Sequence, residues 1–272
     1  MIVSISDPDD PRISAYRDVR ERDLVGRQGR FMAEGEVVLR LLASHLNAHG
    51  RTAQGHRLLS LLVSEGQADR LADIIGALPP QLPVHVAGQQ VMDRIVGFPI
   101  HRGILALGEA RPAVEAGTLL DRLGPRALVV AVAGITNHDN MGGIFRNAAA
   151  FGADLVLLDH ASCDPLYRKA IRVSVGASLI VPFARLADVS AMMAALEAAQ
   201  TSVVALSPSG RETLSSFTPP PRVAALFGTE GPGLPAHVLA TARTLAIPMA
   251  PGFDSLNVAT TSGIVLHHLA GV

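Results

Sequence analysis

Five polar side chains in the second half of this 272-residue chain stand where chemistry could be done. Asn140 and Arg146 fall six residues apart, the first at the end of a polar loop, the second in the first turns of a helix opening on Gly142-Gly143. Glu230 lies in Gly228-Thr229-Glu-Gly231-Pro-Gly233, a glycine-rich turn directly after an apolar run, where the loops of an α/β sheet collect ligands. Ser255 and Asn257 follow a Pro251-Gly252 turn and precede small residues that open a last helix. Side-chain hydroxyls and amides beside the free N–H groups of a helix N-terminus suit a phosphate, a carboxylate or an oriented hydroxyl. Each segment alone also has a plainer reading. Arg146 fits a solvated helix face beside an asparagine turn, Glu230 fits an exposed turn whose glycines serve positive φ, and Ser255 and Asn257 fit a helix cap.

Several chemistries are excluded by spacing. After Ala133 the chain reads Gly134-Ile-Thr-Asn-His-Asp-Asn-Met-Gly142-Gly143, which fails the Gly-x-Gly-x-x-Gly of a nicotinamide-binding turn. The order at Gly228, Gly231 and Gly233 fails it too, and no Gly-x-x-x-x-Gly-Lys-Ser/Thr loop occurs. No His-Glu-x-x-His or cysteine-rich spacing calls for a metal, and His267-His268 end a helix, where their charged form suits the dipole.

The elements that must position these residues follow from apolar patterning. Apolar residues make up 49% of the chain and charged residues 17%, the composition of a packed globular protein. No apolar stretch approaches the ~20 residues of a membrane span, and the N-terminus lacks the pattern of a signal peptide. A single cysteine, Cys163, rules out an internal disulfide and fits a reducing cytoplasm. The first part alternates helical patterns (Ser14–Leu24; Glu36–Leu46 with Val37, Leu41 and Leu42 on one face; 67–76; 89–95) with short strands at 58–63, 84–86 and 103–107. From Gly108 to Gly117 periodicity lapses, which divides the chain into a domain over 1–110, a linker over 111–121 and a domain over 122–272. In the second domain strands are expected at 127–133, 155–158, 179–181, 202–206, 223–227 and 244–247, with helices at 143–151, 165–175, 187–199 and 256–269. Near-continuous apolar strands alternating with helices predict an α/β fold, a parallel sheet covered on both faces.

Net charge is −1, unusual for a protein that coats nucleic acid. The basic residues are nonetheless all arginine except Lys169, and Arg12, Arg17, Arg20, Arg22, Arg27 and Arg30 crowd one segment. Arginine forks match phosphates and stack on bases, but Asp18, Glu21 and Asp23 are interleaved, as on a solvated helix face.

Taken together and in order, the three segments Asn137–Ala148, Leu226–Leu234 and Ile247–His268 resemble the SpoU (TrmH) family of RNA ribose 2′-O-methyltransferases. The resemblance implies a C-terminal trefoil-knotted SPOUT methyltransferase domain, preceded by a small α/β RNA-binding domain over 1–110. It implies S-adenosyl-L-methionine as cofactor, tRNA or rRNA as partner and a homodimer, with neither metal nor membrane. Matched residue by residue, Arg146 abuts the ribose hydroxyl and favours its deprotonated form. Asn140 and Glu230 orient that arginine and the nucleotide, and Ser255 and Asn257 lie close to both ligands. By the same match, Gly228, Ile247 and Leu256 are expected to contact the adenosine, with Thr229 and Met249 as neighbours. The alternative is a non-catalytic RNA-binding protein that keeps the knotted fold. This chain departs from the family pattern at His138, Thr229 and Ala259, where Pro, Asn and Ser are frequent. Arg30–Glu36, His101–Ile104 and Tyr167–Ala177 resemble further family segments.

Overall fold

The computed structural model describes residues 2–17, 21–96, 103–229, 231–253 and 255–271, without the side chains of 21–23 and 96. The chain divides into two compact units, residues 1–112 with 166–180, and residues 113–165 with 181–272.

The first unit is built on a five-stranded mixed sheet in the order β1 (Ile2–Ile5), β4 (Val84–Ala87), β3 (Arg57–Ser64), β5 (Ile104–Glu109), β2 (Arg30–Glu34). Helices α1 (Glu21–Gln28), α2 (Glu36–Ser44), α3 (Glu65–Ala68), α4 (Ala72–Ala77) and α5 (Gln89–Val96) connect the strands. Its core gathers Ile5, Ile13, Leu24, Met32, Leu62, Met92 and Leu105. The two edge strands, β1 and β2, are not among those expected from the sequence pattern. In β2, Phe31 pairs with Gly108 of β5 and fills the place of its side chain: a Cβ on Gly108 would lie 2.1 Å from the ring. The helix expected over Ser14–Leu24 is two pieces among the described residues, a 3₁₀ turn at Pro11–Tyr16 and α1. Asp10 caps the turn by accepting from the Arg12 N–H at 2.9 Å. On α2 the buried residues are Val38, Leu39 and Leu42 rather than the expected Val37, Leu41 and Leu42; Val37 is 61% exposed. Helix α8 (Arg168–Val173), expected within the second domain, belongs to this unit, where it packs on β2 and Arg172 pairs with the buried Glu34.

The second unit holds a seven-stranded sheet, parallel throughout. Its order is β10 (Glu212–Thr213), β12 (Arg243–Ala246), β9 (Ser202–Leu206), β11 (Arg222–Phe227), β6 (Ala127–Val132), β7 (Leu155–Asp159), β8 (Phe183–Leu186). Every residue of β6 and β7 is buried, as the continuous apolar runs require of a sheet covered on both faces. Helices α6 (Ala116–Leu120), α9 (Val189–Ala198) and α10 (Ala236–Thr241) close one core through Leu120, Met192, Leu196 and Val238. Helices α7 (His138–Ala150) and α11 (Val258–Ala270) pack on each other, and α11 also on β11. The expected linker thus carries a helix, α6, with Ala116 and Leu120 buried.

Two boundaries move. The apolar run expected as a strand at 179–181 leads from a 3₁₀ turn at Ala177–Leu179, which follows left-handed Gly176 (φ 88°); the strand, β8, begins only after Pro182. Helix α7 starts at His138, not Gly143, because the Asn137 side chain accepts from the Asp139 N–H at 2.8 Å. Asn140 is therefore in the first helical turn, not at a loop end. Strand β10 and helix α10 carry no clear signal in the sequence.

Candidate active site

The paired N-termini of α7 and α11 are joined by amides. Asn257 caps α11, its Oδ1 accepting from Ala259 N at 3.0 Å and Thr260 N at 3.2 Å, while its Nδ2 donates to Asn140 Oδ1 at 2.8 Å. Two turns further along α7, Asn147 Nδ2 donates to the Ala259 carbonyl at 2.7 Å and to Ser262 Oγ at 2.9 Å. Between them Gly143 lets the helices close, since a Cβ there would lie 2.6 Å from the Ala259 Cβ. At about 100° per residue, Asn140, Gly143 and Asn147 share one face of α7, and Arg146 points well away from it. Arg146 is exposed and carries no ion pair among the described residues.

Beside this seam lies a cavity of about 380 Å³ at the carboxyl ends of β9, β11 and β12. Strands β6, β7 and β8 run outward in sequence, and the chain then resumes on the far side of β11; this reversal is where an α/β sheet opens a crevice for ligands. The walls come from Leu206, Ser207 and Pro208 after β9, from Phe227, Gly228 and Thr229 after β11, and from the stretch between Leu245 and Thr261. Glycine is required at Gly228, where a Cβ would stand 2.5 Å from Leu234 N. Thr229 and Gly233 close the loop on each other: Gly233 N donates to Thr229 O at 3.1 Å and Thr229 Oγ1 to Gly233 O at 3.0 Å. Gly231 and Gly233 have φ of 88° and 71°.

A buried network holds the loop after β6 against this wall. Asp159 accepts the Gly134 N–H on both oxygens (3.0 and 2.9 Å) and the Ser162 hydroxyl at 2.6 Å, and Ser162 Oγ accepts from Ile135 N at 3.0 Å. Arg185 clamps the partner loop, the one after β7, donating to the carbonyls of Asp159, Ser162 and Cys163 at 3.0 to 3.1 Å. Gly134 (φ 70°) touches the cavity wall so closely that a Cβ would lie 2.2 Å from Thr229 Cγ2. Burial pushes the Cys163 thiol up to about 11, which disfavours its thiolate.

Of the residues singled out in the sequence, Gly228, Thr229, Ile247, Met249, Ser255, Leu256 and Asn257 line the one cavity, and Asn140 is bonded to its wall through Asn257. Arg146 is not in the lining. Glu230 lies outside the described residues. The β9 end, Leu206, Ser207 and Pro208, is a part of the wall that the sequence motifs do not mark. A signal for it exists in Gly210, where a Cβ would lie 2.4 Å from the Leu245 backbone. Among the described residues no cluster of His, Cys, Asp and Glu could hold a metal, and no helix is long and apolar enough to cross a membrane.

A parallel sheet with its crevice at the strand reversal, and paired helix N-termini joined by amides beside it, define a ligand-binding α/β enzyme unit. Residues 127–267, more than half of the chain, match the SpoU rRNA Methylase family, and the chain belongs to it. An uncharacterized tRNA/rRNA methyltransferase of Mycobacterium tuberculosis is 35% identical over 98% of this chain and 91% of its own. The 23S rRNA (guanosine-2′-O-)-methyltransferase RlmB of Salmonella typhimurium is 28% identical over 77% of this chain and 88% of its own. The structure of an AdoMet-bound rRNA methyltransferase from Sinorhizobium meliloti superposes with a TM-score of 0.75 at 25% identity, covering 98% of this chain and 97% of that one.

Proposed function

We propose that this protein uses S-adenosyl-L-methionine to methylate a ribose 2′-hydroxyl of structured RNA, tRNA or rRNA, in the cytoplasm. The observation that carries the reading is convergence: residues from separate segments, each matched to a cofactor position by its sequence motif, line one cavity. The cofactor is that of the Sinorhizobium relative, and the ribose position that of the Salmonella relative.

The lining fits such a ligand. Leu206, Leu245, Ile247 and Leu256 offer an apolar slot for a purine, and Ser207, Thr229 and Thr261 offer hydroxyls to its polar parts. When bound, the cofactor supplies an electrophilic methyl group on a cationic sulfur. The chain supplies orientation and charge: Asn257 fixes Asn140, Ser255 and Glu230 position the nucleotide, and the Arg146 cation favours the deprotonated hydroxyl.

Because Arg146 is exposed and absent from the cavity lining, it serves this chemistry best from a second copy, in a homodimer. The first unit is the RNA grip. The chain leaves β12, two strands away, and returns to lay α11 on β11, a path that suits a trefoil knot. Titration calorimetry with S-adenosyl-L-methionine and with NAD tests the reading. Saturable binding of the first alone is expected; binding of NAD, or of neither, sinks it.

A further inference from the structure

At the mouth of the cavity a large apolar ring stands in water. Phe253 is 77% exposed, and among the described residues it is the one exposed aromatic side chain, the others being buried or half-buried. Backbone geometry holds it out: Gly252 (φ 89°) makes a turn that the Phe253 N–H closes on the Ala250 carbonyl at 3.2 Å. Its neighbours in the chain, Met249 on one side and Ser255 and Leu256 on the other, line the cavity, whereas Phe253 does not. Leu256 is itself 44% exposed, so the apolar surface continues past the cavity wall. The rim thus carries an apolar platform that this chain leaves without a partner.

The inference rests on the RNA-methyltransferase reading above. If the cavity holds the cofactor, the nucleotide to be methylated approaches from the mouth. A ribose within folded RNA reaches such a place when its nucleotide is unstacked, and an unstacked base is held by stacking on an aromatic face. We propose that Phe253 is the stacking platform for the nucleobase of the target nucleotide. Every base has a π face, so the platform contributes affinity and orientation and leaves base choice to other groups.

The test uses the full-length protein, tritiated S-adenosyl-L-methionine and total RNA from a strain lacking the gene. Phe253→Ala, Phe253→Leu and Phe253→Tyr are compared with wild type for the apparent KM for RNA, cofactor Kd, thermal midpoint and sedimentation. The alanine variant is expected to raise the RNA KM about tenfold, the order of one base stack, with cofactor Kd, midpoint and sedimentation unchanged. Tyrosine should restore the KM and leucine should not. An unchanged KM in Phe253→Ala overturns the proposal. So does full rescue by leucine, which marks a plain apolar cover, or a change in sedimentation, which marks a subunit contact. A wild type that binds cofactor yet methylates none of this RNA sinks the underlying reading and the proposal with it.

Discussion

Arg146 separates stability from chemistry at the scale of one residue. Exposed, with no ion pair among the described residues, it contributes little to folding. Arg146→Ala should move the unfolding free energy by less than ~0.5 kcal/mol, while removing ~2–4 kcal/mol of transition-state stabilisation from methyl transfer. Urea denaturation and single-turnover rates on the same preparation check both halves, and a variant that keeps its rate takes Arg146 out of the mechanism. His56 is the opposite case, a buried ring whose Nδ1 accepts from the Arg111 N–H at 3.1 Å. Burial, helped by the nearby Arg111 charge, holds its pKa down to about 4. The unfolded chain protonates this histidine near ~6.5, so its contribution is whole above that pH and is lost as pH falls towards 4. The loss is on the order of 3 kcal/mol. Urea midpoints at about pH 7.5 and about pH 4 should differ less in His56→Gln than in wild type; an equal difference removes His56 as the cause. The first-unit arginines are less available than their crowding in sequence implies, since Arg12 pairs with Asp10 and Arg17 with Asp9.

At the scale of elements, the loop after β6 joins two parts of the site, running from Gly134 at the cavity wall to the Asn137 cap of α7. Gly134→Ala meets both a left-handed φ and a collision with Thr229. It should destabilise the protein by more than ~1 kcal/mol and weaken cofactor binding. Gly152→Ala, at φ 67° with open space around it, is the control: a loss of stability with cofactor Kd unchanged. Equal Kd values for the two variants would contradict the role given to Gly134. Much of this architecture is legible in the sequence. The central strands announce themselves because both faces are buried, so β6, residues 155–158 of β7 and residues 223–227 of β11 are uninterrupted apolar runs. The glycines at 228, 231 and 233 and the Asn257 cap announce themselves because backbone geometry admits few alternatives. What is not legible depends on partners distant in sequence. Strand β2, Arg-Phe-Met-Ala-Glu, is a strand because Gly108 leaves room for Phe31. The Asp159 and Arg185 network looks like scattered polar residues until the loops after β6 and β7 meet.

At the scale of the whole molecule, the chain does not divide at a single cut. Residues 166–180 lie in sequence between β7 and β8 yet belong to the first unit, where Ala170 and Ile171 of α8 are buried and α8 packs on β2. A fragment of residues 118–272 therefore loses the surface that covers α8, together with part of α6. It should bind the cofactor but show a lower thermal midpoint and a greater tendency to aggregate than the full chain, read by calorimetry and light scattering. A fragment as stable as the parent would mean that α8 gains nothing from the first unit. The central claim concerns one bond, formed between a methyl group and a ribose oxygen of RNA. The most direct measurement incubates the full-length protein with isotopically labelled S-adenosyl-L-methionine and total RNA from a strain lacking the gene, digests the RNA to nucleosides and identifies the labelled product by mass spectrometry. The account predicts label in a single 2′-O-methylnucleoside, nearly absent with Arg146→Ala; label in a base-methylated nucleoside, or no label despite cofactor binding, would contradict it.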